Sequence, residues 1–191
     1  MAGLTDHRAR LTREWPLGWK QRLALGCAVL HEPPMLFLDE PTSGVDPLSR
    51  RAFWELINSL TDQGITVFVS THYMEEAEYC RRLALMNRGR LIALDTPSNL
   101  RAGMVQPIIE VHCDRSPQAV EALSGLPGVS EASMFGRTVH VVVDDAVVAR
   151  AAITDRLAAR GVTVRSMERI EPSLEDVFVA LVRAEGGAVL G

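Results

Sequence analysis

Apolar residues recur along this chain at two periods, and the switch between them marks the elements. Leu23, Cys27 and Leu30 return at helical spacing, which predicts a helix over roughly residues 5–30. Pro16 suits its first turn, where a missing N–H costs nothing. Pro33 and Pro34 stop it. Met35 to Leu38 is then a continuous apolar run, as in a strand buried on both faces of a parallel sheet. Asp46-Pro47 opens a second helix, with Asp46 as cap and Pro47 at the first helical position. Its predicted apolar face is Leu48, Ala52, Phe53, Leu56, Ile57 and Leu60, and Gly64 closes it. Ile65 to Val69 is a second buried strand, so the run reads as a parallel βαβ unit. A helix over Met74–Cys80 follows. Leu83–Met86 and Leu91–Leu94 then flank Asn87-Arg88-Gly89, a hairpin signal.

Composition shifts between Thr96 and Pro107, a stretch with two prolines and a glycine that reads as a connection. Beyond it come a strand (Ile108–Cys113), a helix (Pro117–Leu126), strands at Val129–Met134 and Thr138–Val143, a helix (Ala146–Arg160) and a strand (Val162–Met167). That is the ferredoxin-like order. A last helix starts at Ser173, with Asp176 placed for a capping box and a face of Leu174, Val177, Phe178, Leu181 and Val182. The expected domains are 1–96, a linker at 97–107, and 108–185. The expected fold class is an α/β sheet-and-helix portion followed by a small α+β domain.

Bulk properties narrow the function. The 191 residues carry a formal charge of −4 with 5% aromatics, which excludes a general nucleic-acid binder. No apolar run approaches the ~20 residues of a membrane span, and the charged N-terminus does not read as a signal peptide. Cys27, Cys80 and Cys113 are an odd, widely spaced set, which points away from a disulfide framework or a zinc site and toward a reducing compartment.

The chemistry concentrates where the first strand ends. Asp39 and Glu40 are adjacent carboxylates, the arrangement by which nucleotide hydrolases set a magnesium-associated acid beside a water-activating one. Magnesium takes oxygen ligands and needs only one or two carboxylates. His72 follows the second strand directly. Parallel strands emerge at a common edge, so Asp39, Glu40 and His72 are expected to converge there. The plainer alternative is two acids at a solvated strand end and a surface histidine. The segment Trp15–Leu23 could bring a helix N-terminus to an anion, with Gly18 allowing close approach. Trp15, Trp19 and Trp54 read as packing, His112 and His140 as surface or satisfied core, and the Arg50-Arg51 and Arg81-Arg82 pairs as solvated helix faces.

Four segments together resemble a known family: WPLGWKQRLALG, MLFLDEPTSGVDP, VFVSTH and EPSLEDVFVALV. They look like the ATP-binding subunit of an ABC transporter, of the multidrug- and antibiotic-export type that partners ABC-2 permeases. The resemblance implies a P-loop NTPase fold, ATP and Mg2+ as cofactors, and ATP hydrolysis coupled to export. It also implies pairing with a second ATP-binding domain, in a homodimer or an asymmetric pair, and a cytoplasmic place on the inner face of the membrane. By residue, Asp39 matches the metal-associated aspartate and Glu40 the catalytic glutamate. Ser43, Gly44 and Asp46 match the loop that crosses the dimer interface. His72 matches the histidine that contacts the γ-phosphate. Gly18, with Gln21 and Arg22 behind it, matches the signature that closes over ATP on the opposite subunit.

The sequence departs from that family twice. Pro16 and Leu17 stand where the signature has a serine and a glycine. Pro16 has neither hydroxyl nor N–H to give a phosphate, so two potential hydrogen bonds are missing, and a weak site in an asymmetric pair is expected. The phosphate-binding pattern G-x-x-x-x-G-K-[ST] does not occur, and Lys20 is the single lysine. The sequence is therefore expected to be the C-terminal portion of such a subunit, inactive by itself, with residues 1–95 prone to aggregate and 105–185 able to fold alone. A catalytically inactive docking or regulatory module is the alternative. An RNA-binding role for the C-terminal unit fits its acidity and lack of strand aromatics poorly.

Overall fold

Trp15 precedes a proline, which disfavours helical backbone before it. In the computed structural model, which describes residues 10–185, Trp15 is extended (φ −80°, ψ 144°) and only a short 3-10 turn, Thr12–Glu14, lies upstream. Helix α1 therefore starts at Leu17 and runs to Ala28, later than the pattern predicts, with Pro16 extended as its N-cap. The part of the predicted helix within residues 1–9 lies outside the described residues. Strand β1 (Met35–Asp39), helix α2 (Pro47–Asp62), strand β2 (Thr66–Ser70) and the short α3 (Met74–Ala77) follow.

Strands β1 and β2 are parallel, in a register running from Met35 opposite Thr66 to Asp39 opposite Ser70. Between them α2 is capped as expected: Asp46 accepts from the Ser49 N–H at 2.9 Å, and Pro47 opens the helix. Its buried stripe is Phe53, Trp54, Ile57 and Leu60. Leu48, expected on that stripe, is 80% exposed, because the buried face is rotated by about one position. Trp54 stacks on Tyr79 at 5.5 Å between ring centroids.

The contacts divide the chain into two units, Met1–Tyr79 and Cys80–Gly191. The hairpin of β3 (Leu83–Asn87) and β4 (Arg90–Asp95) thus falls in the second. Its two-residue turn has Arg88 and Gly89 at φ 48° and 75°, the left-handed pair that matches strand twist. The expected linker contains a helix, α4 (Pro97–Ala102), capped by Thr96, whose hydroxyl accepts from the Asn99 N–H. Then come β5 (Ile108–Cys113), α5 (Ser116–Leu123), β6 (Val129–Phe135), β7 (Thr138–Val143), α6 (Ala146–Ala159), β8 (Val164–Ile170) and α7 (Leu174–Ala184). The sheet order is β6-β7-β5-β8 with every neighbouring pair antiparallel, the ferredoxin-like topology. Ile109, Val111, Val139, Val141 and Val143 pack with Leu123, Ile153 and Leu157 as its core. Ser173 and Asp176 form the capping box read from sequence.

The first unit leaves one face of its strands uncovered among the described residues. Phe37 and Phe68 lie 5.8 Å apart there and are 72% and 58% exposed. Isolated residues 1–95 are expected to scatter light at micromolar concentration, since such patches drive association. The part of the second unit that follows the hairpin should melt cooperatively alone, but from about residue 96 rather than 105, because α4 packs against α7. A monomeric, cooperatively melting 1–95 segment would contradict this.

Candidate functional site

The parallel register delivers Asp39 and Ser70 to the same edge as partners. The Ser70 hydroxyl donates to Asp39 Oδ1. It also accepts from the Glu40 N–H at 3.1 Å, and the Ser70 carbonyl accepts from the same N–H at 3.1 Å. Held from across the sheet, Glu40 adopts φ 42°, the left-handed region that non-glycine residues seldom visit. Such strain costs of order 1 kcal/mol and gathers at functional sites. The twist turns the Glu40 carboxylate toward the end of β2, where its Oε2 lies 3.2 Å from His72 Nδ1. Asp39, Glu40 and His72 therefore meet at one exposed edge. Ser70 joins them, a residue that the pattern of strand and motif did not single out.

The turn after Glu40 is tight. The Ser43 N–H donates to the Glu40 carbonyl and the Val45 N–H to the Thr42 carbonyl, each at 3.1 Å. Gly44 sits at φ 71°. Asp46 is committed to the helix cap, and its hydrogen bonds to Ser49 pull its carboxyl below the ordinary range. The start of α1 packs on this turn. A side chain at Gly18 would meet the Ser49 Cβ at 2.8 Å and a Val45 methyl at 3.2 Å, and one at Gly44 would meet Leu17 at 3.3 Å. Gly18 is buried, so its bare face serves helix packing and is closed to an anion from that side. Gln21 is half-buried on α1.

Arg50 was expected on a solvated face and is not there. It falls on the same stripe as Phe53, Trp54 and Ile57, its side chain is 19% exposed, and its guanidinium lies 4.1 Å from the Tyr73 ring centroid. Arg51, its neighbour, does face solvent and pairs with Glu55 at 3.8 Å.

A separate polar cluster lies in the second unit. His140 is buried, with Nδ1 2.8 Å from Asp176 Oδ1, Nε2 3.4 Å from Glu110 Oε1, and Phe135 stacked on its ring at 3.9 Å. Asp176 Oδ2 accepts from the Ser173 N–H and hydroxyl at 2.8 and 2.7 Å. Glu110 Oε2 lies 2.8 Å from His112 Nε2. Burial is the largest single influence on His140 and disfavours its charge. The hydrogen bonds and charges of Asp176 and Glu110 together outweigh burial and raise its pKa above 6.5. Burial likewise opposes charge on Asp176, and the bonds from His140 and Ser173 overcome it and hold the carboxyl below 3.8. These histidines are satisfied by neighbours, as read from the sequence.

Comparison with known proteins adds identity to this geometry. Residues 96–182 match the model of the ATP-binding protein DrrA1-3-like C-terminal domain. Residues 20–76 match a model described as AAA domain, putative AbiEii toxin, Type IV TA system. The daunorubicin resistance ATP-binding protein DrrA2 of Streptomyces coeruleorubidus is 36% identical over 183 residues, 93% of this chain. The chain belongs to the ATP-binding subunits of ABC transporters. The probable multidrug ABC transporter ATP-binding protein YbhF of Escherichia coli is 60% identical over 100 residues, 52% of this chain. The Nod factor export ATP-binding protein I of Rhizobium etli is 36% identical over 170 residues, 88% of this chain. The chain spans 57% of DrrA2, 51% of the Nod factor protein and 17% of YbhF, so it corresponds to part of each ABC subunit. Among the described residues, no helix of this ABC chain is long and apolar enough to cross a membrane.

Proposed function

We propose that this chain carries the water-activating half of an ATP-hydrolysis site in the ATP-binding subunit of an export transporter. The observation that carries the reading is the 3.2 Å approach of His72 to Glu40 at the strand edge that also bears Asp39. An exposed carboxylate with one oxygen held by a serine fits a hard cation that takes few protein ligands. Asp39 would hold Mg2+, which when bound neutralises phosphate charge. Glu40 orients water against the γ-phosphate and accepts its proton. His72, fixed through Nδ1 by Glu40, presents its other ring nitrogen to the γ-phosphate. Gln21, Ser43 and Gly44 would face nucleotide held by a second ATP-binding domain, with Gly18 letting α1 pack closely on their turn and Asp46 fixing that turn to α2 as its cap.

The relatives' names support export as the work driven. An ABC-2 permease as the membrane partner and the cytoplasmic face as the location rest on the resemblance of the sequence motifs alone. Pro16 gives α1 no side-chain cap bond. That favours a weak signature in an asymmetric pair. A complete protein that combines this chain with a phosphate-binding loop and its permease is expected to release phosphate from ATP with Mg2+. Pro16→Ser with Leu17→Gly should raise release about tenfold, the worth of one hydrogen bond to a charged oxygen. No release under any pairing would leave the inactive docking module as the reading.

A further inference from the structure

Glu76 lies in α3 and is fully buried, at 0% exposure. A buried carboxylate is costly unless donors or a cation meet its oxygens. Both oxygens are met here. Oε1 accepts from the Thr42 hydroxyl at 2.5 Å, and Oε2 accepts from the Thr71 hydroxyl at 2.8 Å. Arg50 Nε lies 3.3 Å from Oε1, close enough for charge pairing though not aligned as a hydrogen bond. The same guanidinium donates to the Val45 carbonyl at 3.4 Å. The Thr71 hydroxyl in turn accepts from the Tyr73 N–H at 3.0 Å.

The partners are placed to matter. Thr42 is in the turn directly after Glu40, and Thr71 is the residue before His72. One carboxylate is thus the common acceptor for the two turns that carry the paired side chains, and Arg50 ties it to the start of α2. A buried apolar side chain would fill this space without fixing either hydroxyl. We propose that Glu76 is a positioning residue, which locks the Thr42 turn and the Thr71–His72 turn in one register and so sets the Glu40–His72 separation. Its bearing on hydrolysis rests on the function proposed above, whereas the lock itself belongs to the fold.

Two variants test it. Thr71→Val keeps shape and removes one donor, and Glu76→Gln removes the charge and one of the two acceptor oxygens. In the 191-residue chain, Thr71→Val should speed hydrogen exchange at the Ser43 and Val45 amides, across the lock, by about fivefold, and Glu76→Gln by more. In a complete protein that hydrolyses ATP, both should lower kcat about tenfold with KM within about threefold. Exchange at Ser43 and Val45 unchanged by Thr71→Val would overturn the lock, as would an unchanged kcat in a protein that Glu40→Gln inactivates. Should Glu76→Gln not fold, Thr71→Val decides alone. If hydrolysis proves insensitive to Glu40→Gln while the exchange response is seen, the lock stands and the hydrolytic reading fails.

Discussion

Glu40→Gln is expected to lower steady-state ATP turnover of the complete protein by about 10²–10⁴-fold, the usual share of a general base. The substitution suits the geometry. Glutamine can keep φ 42°, retain the bonds from its N–H to Ser70, and still meet His72 with its side-chain oxygen. What it loses is the ability to take a proton from water. Nucleotide affinity should therefore hold while release of phosphate stops, and ATP should remain bound through many normal turnover times. Single-turnover assays with labelled ATP read both quantities. Equal loss of binding and turnover would mean that Glu40 anchors the edge rather than the water.

His140→Ala is expected to cost the second unit about 3 kcal/mol, because it strands a buried carboxylate, Asp176, without its partner. For a unit of this size that is a drop of roughly 12–24 °C in Tm. The pH dependence follows from the two shifts. His140 is raised above 6.5, so its charge-linked stability is complete below that pH and is lost as pH rises through the folded-state value. Asp176 is lowered below 3.8, so its share is complete above that pH and is lost as pH falls through the folded-state value. Glu110 faces His140 from β5 and His112 from its other side, and its lowered pKa acts in the same sense as that of Asp176. The gap in Tm between wild type and His140→Ala should be widest between about pH 4 and 6.5 and narrow toward pH 8. A gap that does not vary with pH would show that packing on Phe135, rather than charge, holds the helix.

Element order was legible in the sequence because period and punctuation agree. Prolines, the Asp46-Pro47 cap and the Arg88-Gly89 turn each fixed a boundary by local backbone chemistry. The convergence of Asp39, Glu40 and His72 at one edge was legible too, since parallel strands end together. Arg50 was missed because its charge argued for solvent, although its spacing from Phe53, Trp54 and Ile57 placed it on the buried stripe. Glu76 was hidden among neighbouring acids in MEEAE, and nothing local distinguishes the buried one from Glu75, which is exposed. The same limit applies to Glu40: a residue before proline reads as extended, and only Ser70, thirty positions away, turns it into the left-handed region.

Gly18 and Ser49 are bound together in a further sense. Ser49 Cβ is fixed to backbone that already donates to Asp46, so no rotamer change can clear the 2.8 Å overlap that any larger residue at 18 would make. Position 18 can therefore enlarge only in company with loss of the side chain at 49. A library randomised at 18 alone would return almost only glycine, whereas one randomised at both positions would open a second, correlated set of solutions.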